Sequence, residues 1–307
     1  MITVKKESAE KTKYRIKKSP SDIVAKICAF VLTAFFALIC VLPMWHVLMA
    51  SFSDPIQLSL YEGFLFKPIK FSTEGYSLLF SYSGLWRSYL NTVIYTVCAT
   101  GLGLLLDLLA AYVLSRKNVM FKRALMVFII ITMLFNGGVI PLYLVVRSLG
   151  LTNTMWAMII PACCNAMSII MLKNGMESVN DAICEAAQID GAGHVRILWQ
   201  IMLPLTTSFI ATVVLFNAIG HWNSWVNASM FISKSHKDLY PLQLIMRDIL
   251  INNSAEGVLS PSGYPITFYL ASLRVVMVVV GSLPLIILYP FVQKFFEKGI
   301  IIGGVKG

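Results

Sequence analysis

Six long apolar stretches separated by polar segments set the pattern of the chain, at residues 24–50, 89–114, 124–146, 155–174, 206–226 and 268–292. Each reaches the roughly 20 residues that carry a helix across about 30 Å of hydrocarbon. A transmembrane barrel would instead show alternation over segments of about 10 residues. Among 25 Lys and Arg and 15 Asp and Glu, only Lys26, Asp107, Lys173 and Arg274 fall inside these stretches. The pattern predicts an all-α polytopic membrane protein with six transmembrane helices. The first stretch reads as a retained span, because it outlasts a signal-peptide core and runs through Pro43, Trp45 and His46 with no small-residue cleavage site after it. Composition agrees: 57% of residues are hydrophobic and 13% charged, against about 25% charged in soluble domains.

The net charge of +10 would suit a nucleic-acid partner if it were spread over one surface, but its distribution follows topology. Lys5, Lys6, Lys11, Lys13, Arg15, Lys17 and Lys18 precede span 1, and Arg116, Lys117, Lys122 and Arg123 join spans 2 and 3. The opposite side carries only Lys67, Lys70, Arg87, Arg147, Lys234, Lys237 and Arg247. The positive-inside rule then predicts both termini in the cytoplasm. The predicted organisation is a basic N-terminus (1–22), a first helix with an exterior loop (23–87), a five-helix transmembrane domain (88–293) and a C-terminal tail (294–307). Within the five-helix domain lie a cytoplasmic loop, 175–205, and an exterior loop, 227–267. No exterior loop holds a cysteine, which argues against a disulfide framework, and the pair Cys163-Cys164 reads as small apolar packing.

Several positions break the simple pattern. Asn136-Gly137-Gly138 and Pro141 interrupt span 3 and predict a kink or a local unwinding, either for packing or for a substrate contact. Asp107 and Arg274 are costly in lipid and are expected to face protein or water. Span 5 turns polar at its outer end, with Asn217, His221, Trp222, Asn223 and Trp225. Tryptophan there is either an interfacial anchor or, with the amides, a wall of a substrate pathway. A lone His221 reads as hydrogen-bonded structure, since no second histidine or acid sits at helical spacing. Beyond span 5, Leu242–Ile251 is expected to form a helix against the membrane surface.

The cytoplasmic loop carries the most information. Ser178 with Asp181 fits a capping box, and Asn180 is an alternative cap. A helix is predicted from about Asp181 to Ile189, closed by Asp190-Gly191. A second helix from Ala192 toward Met202 would lead through Pro204 into span 5. Ala182, Ala186 and Ile189 share one face, with Ile183 and Ala187 beside it and Glu185 at the edge. This slim face, with few long side chains to order, suits docking against another protein. An interfacial lipid helix is the alternative, weakened by the scarcity of Lys and Arg.

Glu185-Ala186-Ala187, three residues, Gly191, nine residues, Ile201, one residue and Leu203-Pro204 resembles the E-A-A-x3-G-x9-I-x-L-P loop of permease subunits of bacterial binding-protein-dependent ABC importers. Asn153-Thr154, Trp222-Asn223-Ser224-Trp225 and Tyr240-Pro241-Leu242-Gln243 are similar to the carbohydrate branch, the smaller permease of maltose-type importers, including those for uronide-rich oligosaccharides. Asn180-Asp181 departs from the Pro-Glu usual there. The resemblance implies a type I importer permease in a bacterial cytoplasmic membrane. It implies that Glu185, Ala186, Ala187, Asp190, Gly191, Leu203 and Pro204 couple to an ATPase subunit, and that the tail with Gly303, Gly304 and Lys306 reaches the ATPase interface. By the same resemblance Asn252, Ser260 and Tyr264 touch an extracytoplasmic solute-binding protein, and Asn252–Pro265 reaches toward its sugar cleft. The implied partners are that binding protein, a second, different permease, two ATPase subunits and a carbohydrate. No cofactor is expected in this chain, with ATP and Mg on the ATPase subunits. The Gly-rich tail lacks G-x-x-x-x-G-K-[ST], so the chain is not expected to be an enzyme. An ion-coupled carrier is the competing class, but it would be expected to hold more intramembrane carboxylates than Asp107.

Overall fold

The computed structural model describes residues 20–82, 84–252 and 267–303. The chain divides into two units, Met1–His46 and Val47–Gly307. The first unit holds most of helix α1 (Pro20–Ser51), 32 residues with Pro43 inside. In the second unit, α2 (Pro55–Ser59) and α3 (Glu74–Ser81) lead to the long α4 (Leu85–Ser115). Then come α5 (Lys122–Leu134), α6 (Val139–Ser148), α7 (Trp156–Ile159) with a 3-10 turn at Ile160–Ala162, α8 (Ala166–Glu177) and α9 (Asp181–Ile189). After α9 follow α10 (His194–Arg196), a π-helical turn at Ile197–Met202, α11 (Leu203–Leu205) and α12 (Thr207–Trp222). The chain closes with α13 (Trp225–Phe231), a 3-10 stretch at Lys234–Leu239, α14 (Leu242–Asn252) and α15 (Thr267–Gly303).

Helices α1 and α4 and the Phe268–Pro290 part of α15 are each long and apolar enough to cross a membrane. Three further candidates are bent pairs: α5 with α6 at 112°, Trp156–Ala162 with α8 at 49°, and His194–Leu205 with α12 at 84°. The span-3 break is a local unwinding over residues 135–138, one of the two expected forms. Asn136 accepts a hydrogen bond from Gly138 N through Oδ1 at 2.9 Å, and Gly138 takes φ +90°, so α5 ends and α6 restarts in a new direction. The second loop helix forms as expected, as a helical run over His194–Leu205 that leads past Pro204 into α12, but the passage is bent by 84°. The chain turns at Thr206, whose hydroxyl donates back to Met202 O at 2.7 Å and closes the π segment.

Helix α4 is the spine of the second unit. Its N-terminal half, with Tyr95 and Ala99, packs with α14 (Leu242, Ile245, Ile249) and α15 (Tyr269, Leu273, Met277). Its C-terminal half, with Leu108, Ala111 and Tyr112, packs with Leu172 and Met176 of α8 and with Cys184, Ile197 and Met202 of the loop. The expected surface helix at Leu242–Ile251 is thus corrected: α14 forms, but its apolar face is sunk in protein. The cause lies on α4. Asn91 Nδ2 donates to Asp238 O (2.7 Å) and Tyr240 O (3.2 Å), Tyr95 OH donates to Leu239 O (3.0 Å), and Leu242 N donates to Thr92 Oγ1 (2.8 Å). These side chains satisfy a stretch of backbone that lipid would leave unpaired.

One close approach sets the spacing between α4 and the break before α8. A Cβ on Gly103 would lie 2.4 Å from the backbone oxygen of Cys163, whereas one on Gly101 would meet nothing within 4 Å. Gly103→Ala is expected to destabilise the protein by about 1–3 kcal/mol, the range for forcing extra volume into a packed interior. Gly101→Ala serves as the matched control. Thermal unfolding of the purified protein reads this directly, and equal midpoints for the two variants would refute the contact.

Candidate functional site

The loop between α8 and α12 is built by its own caps. Ser178 does not cap α9; its hydroxyl donates to Gly175 O at 2.7 Å and finishes α8. Asn180 is the N-cap, its Oδ1 accepting from Ala182 N at 3.0 Å, which corrects the capping-box alternative. At the other end Gly191 N donates to Gln188 O (3.0 Å) and Ala192 N to Ala187 O (2.9 Å), with Gly191 at φ +81°. That pair of bonds is a Schellman closure, which needs a left-handed residue at this position. Helix α9 is therefore bounded at both ends by specific side-chain and backbone chemistry.

Helix α9 turns Cys184 inward, 4% exposed, with Ala187 half-buried beside it. Ala182, Ile183, Glu185, Ala186 and Ile189 stay exposed, Ile189 at 87%. Asp190 and Gly191 are also exposed, Leu203 is half-buried and Pro204 exposed. The seat beneath is made by the end of α4 and the segment after it. Cys184 Sγ meets Met202 Sδ at 3.6 Å, and Arg116 Nη2 reaches the same sulfur at 3.9 Å. Arg116 also lies over the Tyr112 ring at 5.0 Å, and Tyr112 OH bonds His194 Nδ1 at 3.1 Å. Tyr112, Arg116 and His194 line a cavity of about 670 Å³ with Gln188 and Leu198. Asp181, in the first turn of α9, pairs with Lys117. That hydrogen bond and charge hold the Asp181 carboxyl below its ordinary value. They hold the Lys117 ammonium above its own, with Glu185 adding to the effect. The contribution of a lowered carboxylate is lost only as pH falls through that lowered value, so the pair stays charged near neutrality.

A second polar group lies among the spans. Asn217, His221, Ser224 and Asn227 face Cys164 and Asn165 around a cavity of about 280 Å³. Asn217 Oδ1 accepts from Ser168 Oγ at 3.2 Å, which fixes its orientation. Asn165 caps α8, accepting from Met167 N (2.9 Å), while its own N–H goes to Asp107 Oδ1 at 3.3 Å. Asp107 is fully buried against protein, as its cost in lipid requires.

The four sequence-predicted pathway residues separate. Asn217 lines the cavity. Trp222 does not: it is 5% exposed, donates from Nε1 to Gly281 O at 3.1 Å, and meets Tyr89 edge-on at 5.9 Å. Asn223 turns its amide to Ile219 O at 3.0 Å. Trp225 is 37% exposed under the Arg247 guanidinium. Asn165 and Asn227 were not singled out from sequence, and Ser224 only as part of the Trp222–Trp225 motif; the signal available was a cluster of short polar residues flanking two span breaks. Asn252 ends α14 and Gly303 ends α15. Ser260, Tyr264, Gly304 and Lys306, with nearly all of Asn252–Pro265, lie outside the described residues.

Residues 99–302 match the family of the binding-protein-dependent transport system inner membrane component, and the chain belongs to that family. It is 38% identical over 273 residues to the polygalacturonan/rhamnogalacturonan transport system permease protein YtcP of Bacillus subtilis (strain 168), covering 89% of this chain and 94% of that one. Protein LplC of the same organism is 34% identical over 284 residues, 92% of this chain and 95% of its own. Among solved structures, a bacterial ABC transporter involved in the import of the acidic polysaccharide alginate matches with TM-score 0.81 and 30% identity, over 92% of this chain and 99% of that chain. The resemblance carried by Glu185 to Pro204 therefore holds. The all-helical architecture is that of a type I ABC importer permease, an integral membrane component rather than a catalytic one.

Proposed function

We propose that this chain is one permease subunit of an ABC importer that passes an oligosaccharide, of the uronide-containing class, into a bacterial cytoplasm. Each bent helix pair is taken as one span, making six, with both termini cytoplasmic. A second, different permease, two ATPase subunits holding ATP and Mg, and a solute-binding protein complete the assembly. Transport alternates between inward-open and outward-open states, biased by nucleotide and by the loaded binding protein. The observation that carries the reading is α9, a capped helix seated on α4 with its alanine face, Ile183 and Ile189 left exposed. An exposed apolar face rimmed by a charge is the mark of a protein partner. The likeness to a polygalacturonan/rhamnogalacturonan permease and to an alginate importer supports the substrate class.

The test is reconstitution of the five-subunit assembly in liposomes with ATP inside and labelled oligogalacturonide outside. Accumulation that requires ATP and binding protein, and persists with a protonophore, is expected. Uptake by the chain without ATPase subunits, driven by a proton or sodium gradient, would overturn the reading in favour of an ion-coupled carrier.

A further inference from the structure

Arg247 differs from the other basic residues assigned to the exterior side. It stands on α14, whose Leu244, Ile245 and Ile249 are buried. Its guanidinium carbon lies 4.6 Å from the centre of the Trp225 ring, a cation–π distance. Its Nε is enclosed and has no hydrogen-bond partner, while the side chain as a whole is 34% exposed. Its ion pair is with the adjacent Asp248, Nη1 to Oδ1 at 3.7 Å, beyond hydrogen-bond range. Arg87, by contrast, donates from Nε to Asp238 O at 3.3 Å.

A guanidinium laid on an aromatic face keeps its in-plane N–H donors for a third group. The group those donors match in geometry and charge is a carboxylate. Trp225 belongs to the first turn of α13, between Ser224 and Asn227, both of which line the cavity among the spans. That cavity is lined by amides, a hydroxyl, an imidazole and apolar groups, with no lysine or arginine. It suits sugar hydroxyls and supplies no fixed cation to a uronate.

We propose that Arg247, held flat on Trp225, is a carboxylate-binding subsite that reads uronate residues of an oligosaccharide beside the amide-lined cavity. The proposal rests on the oligosaccharide-importer reading and adds to it where acid selectivity resides in this chain. The sugar's carboxylate would take the guanidinium edge, and the exposed rim of Trp225 would meet the C–H face of the same residue. No bond is made or broken.

The reconstituted importer tests it with two ligands of equal length, trigalacturonate and its methyl ester, and with Arg247→Gln and Arg247→Lys at equal membrane abundance. Arg247→Gln is expected to lower trigalacturonate uptake about tenfold, the size of one charge-assisted hydrogen bond, and ester uptake less than twofold. Arg247→Lys should fall between, since it keeps the charge and loses the planar fork. An equal loss for both sugars would reduce Arg247 to a staple between α13 and α14 and overturn the proposal. So would wild-type selectivity in Arg247→Gln, and in either case the importer reading stands. If the wild-type complex carries neither sugar, the oligosaccharide reading fails and takes the subsite with it.

Discussion

Gly191→Val is expected to cut ATP-driven uptake by tenfold or more while the chain still inserts in the membrane. The reason is backbone conformation and not crowding, because a Cβ at Gly191 meets no atom within 4 Å. At φ +81° an L-residue pays roughly 1–2 kcal/mol, and a β-branched one sits at the upper end. Relief comes by unwinding the last turn of α9, which breaks the Ala192 N to Ala187 O bond and swings Ile189 off its line. About 1.4 kcal/mol lost from docking is a tenfold loss of affinity. Gly191→Asn is the internal control, since asparagine enters the left-handed region more readily, and should keep most of the activity. Co-purification with the ATPase subunits and uptake at equal membrane abundance are the measurements. Wild-type uptake by the valine variant would show that the closure of α9 does not matter.

Glu185→Lys is the second large effect. Glu185 is exposed on the face proposed to dock, one turn along from Asp181 and near enough to Lys117 to raise its pKa. Losing one exposed ion pair would cost at most about 1 kcal/mol. Reversal is expected to do more, because the new ammonium would oppose a basic group on the proposed ATPase partner and would also repel Lys117. Loss of most substrate-stimulated ATP hydrolysis is expected, with basal hydrolysis by the ATPase subunits retained. Glu185→Gln should lie close to wild type. If the lysine variant is stimulated as well as wild type, α9 docks by another face.

Much of this architecture was legible because it is written in local patterns. The apolar stretch 89–114 became α4 (Leu85–Ser115), and 24–50 became α1 (Pro20–Ser51), with bounds within a turn. Helix α9 was legible for the same reason: its alanines, its cap at Asn180 and its stop at Gly191 all lie within a dozen residues. What escaped depends on partners far along the chain. Nothing near Leu242 says that Thr92 will take its N–H, so α14 read as a surface helix and is a core one. Nothing near Trp222 names Gly281 as its acceptor, so the burial of an aromatic of the right type for sugar could not be read from its neighbours. The 84° turn at Thr206 has a visible signal in Pro204, whereas the π-helical turn before it has no sequence signature as plain as proline.

The sulfur of Met202 holds three parts of the chain to one point. Cys184 of α9 touches it from above, Arg116 beyond α4 touches it from the side, and Met202 itself closes the π-helical turn that swings into α12. The three pieces act as a crank whose arm is α9 and whose two shafts are α4 and α12. In the proposed coupling, a push on the arm would reach both shafts together through this one sulfur, and a slack joint at Met202 would let the arm move while the shafts stood still.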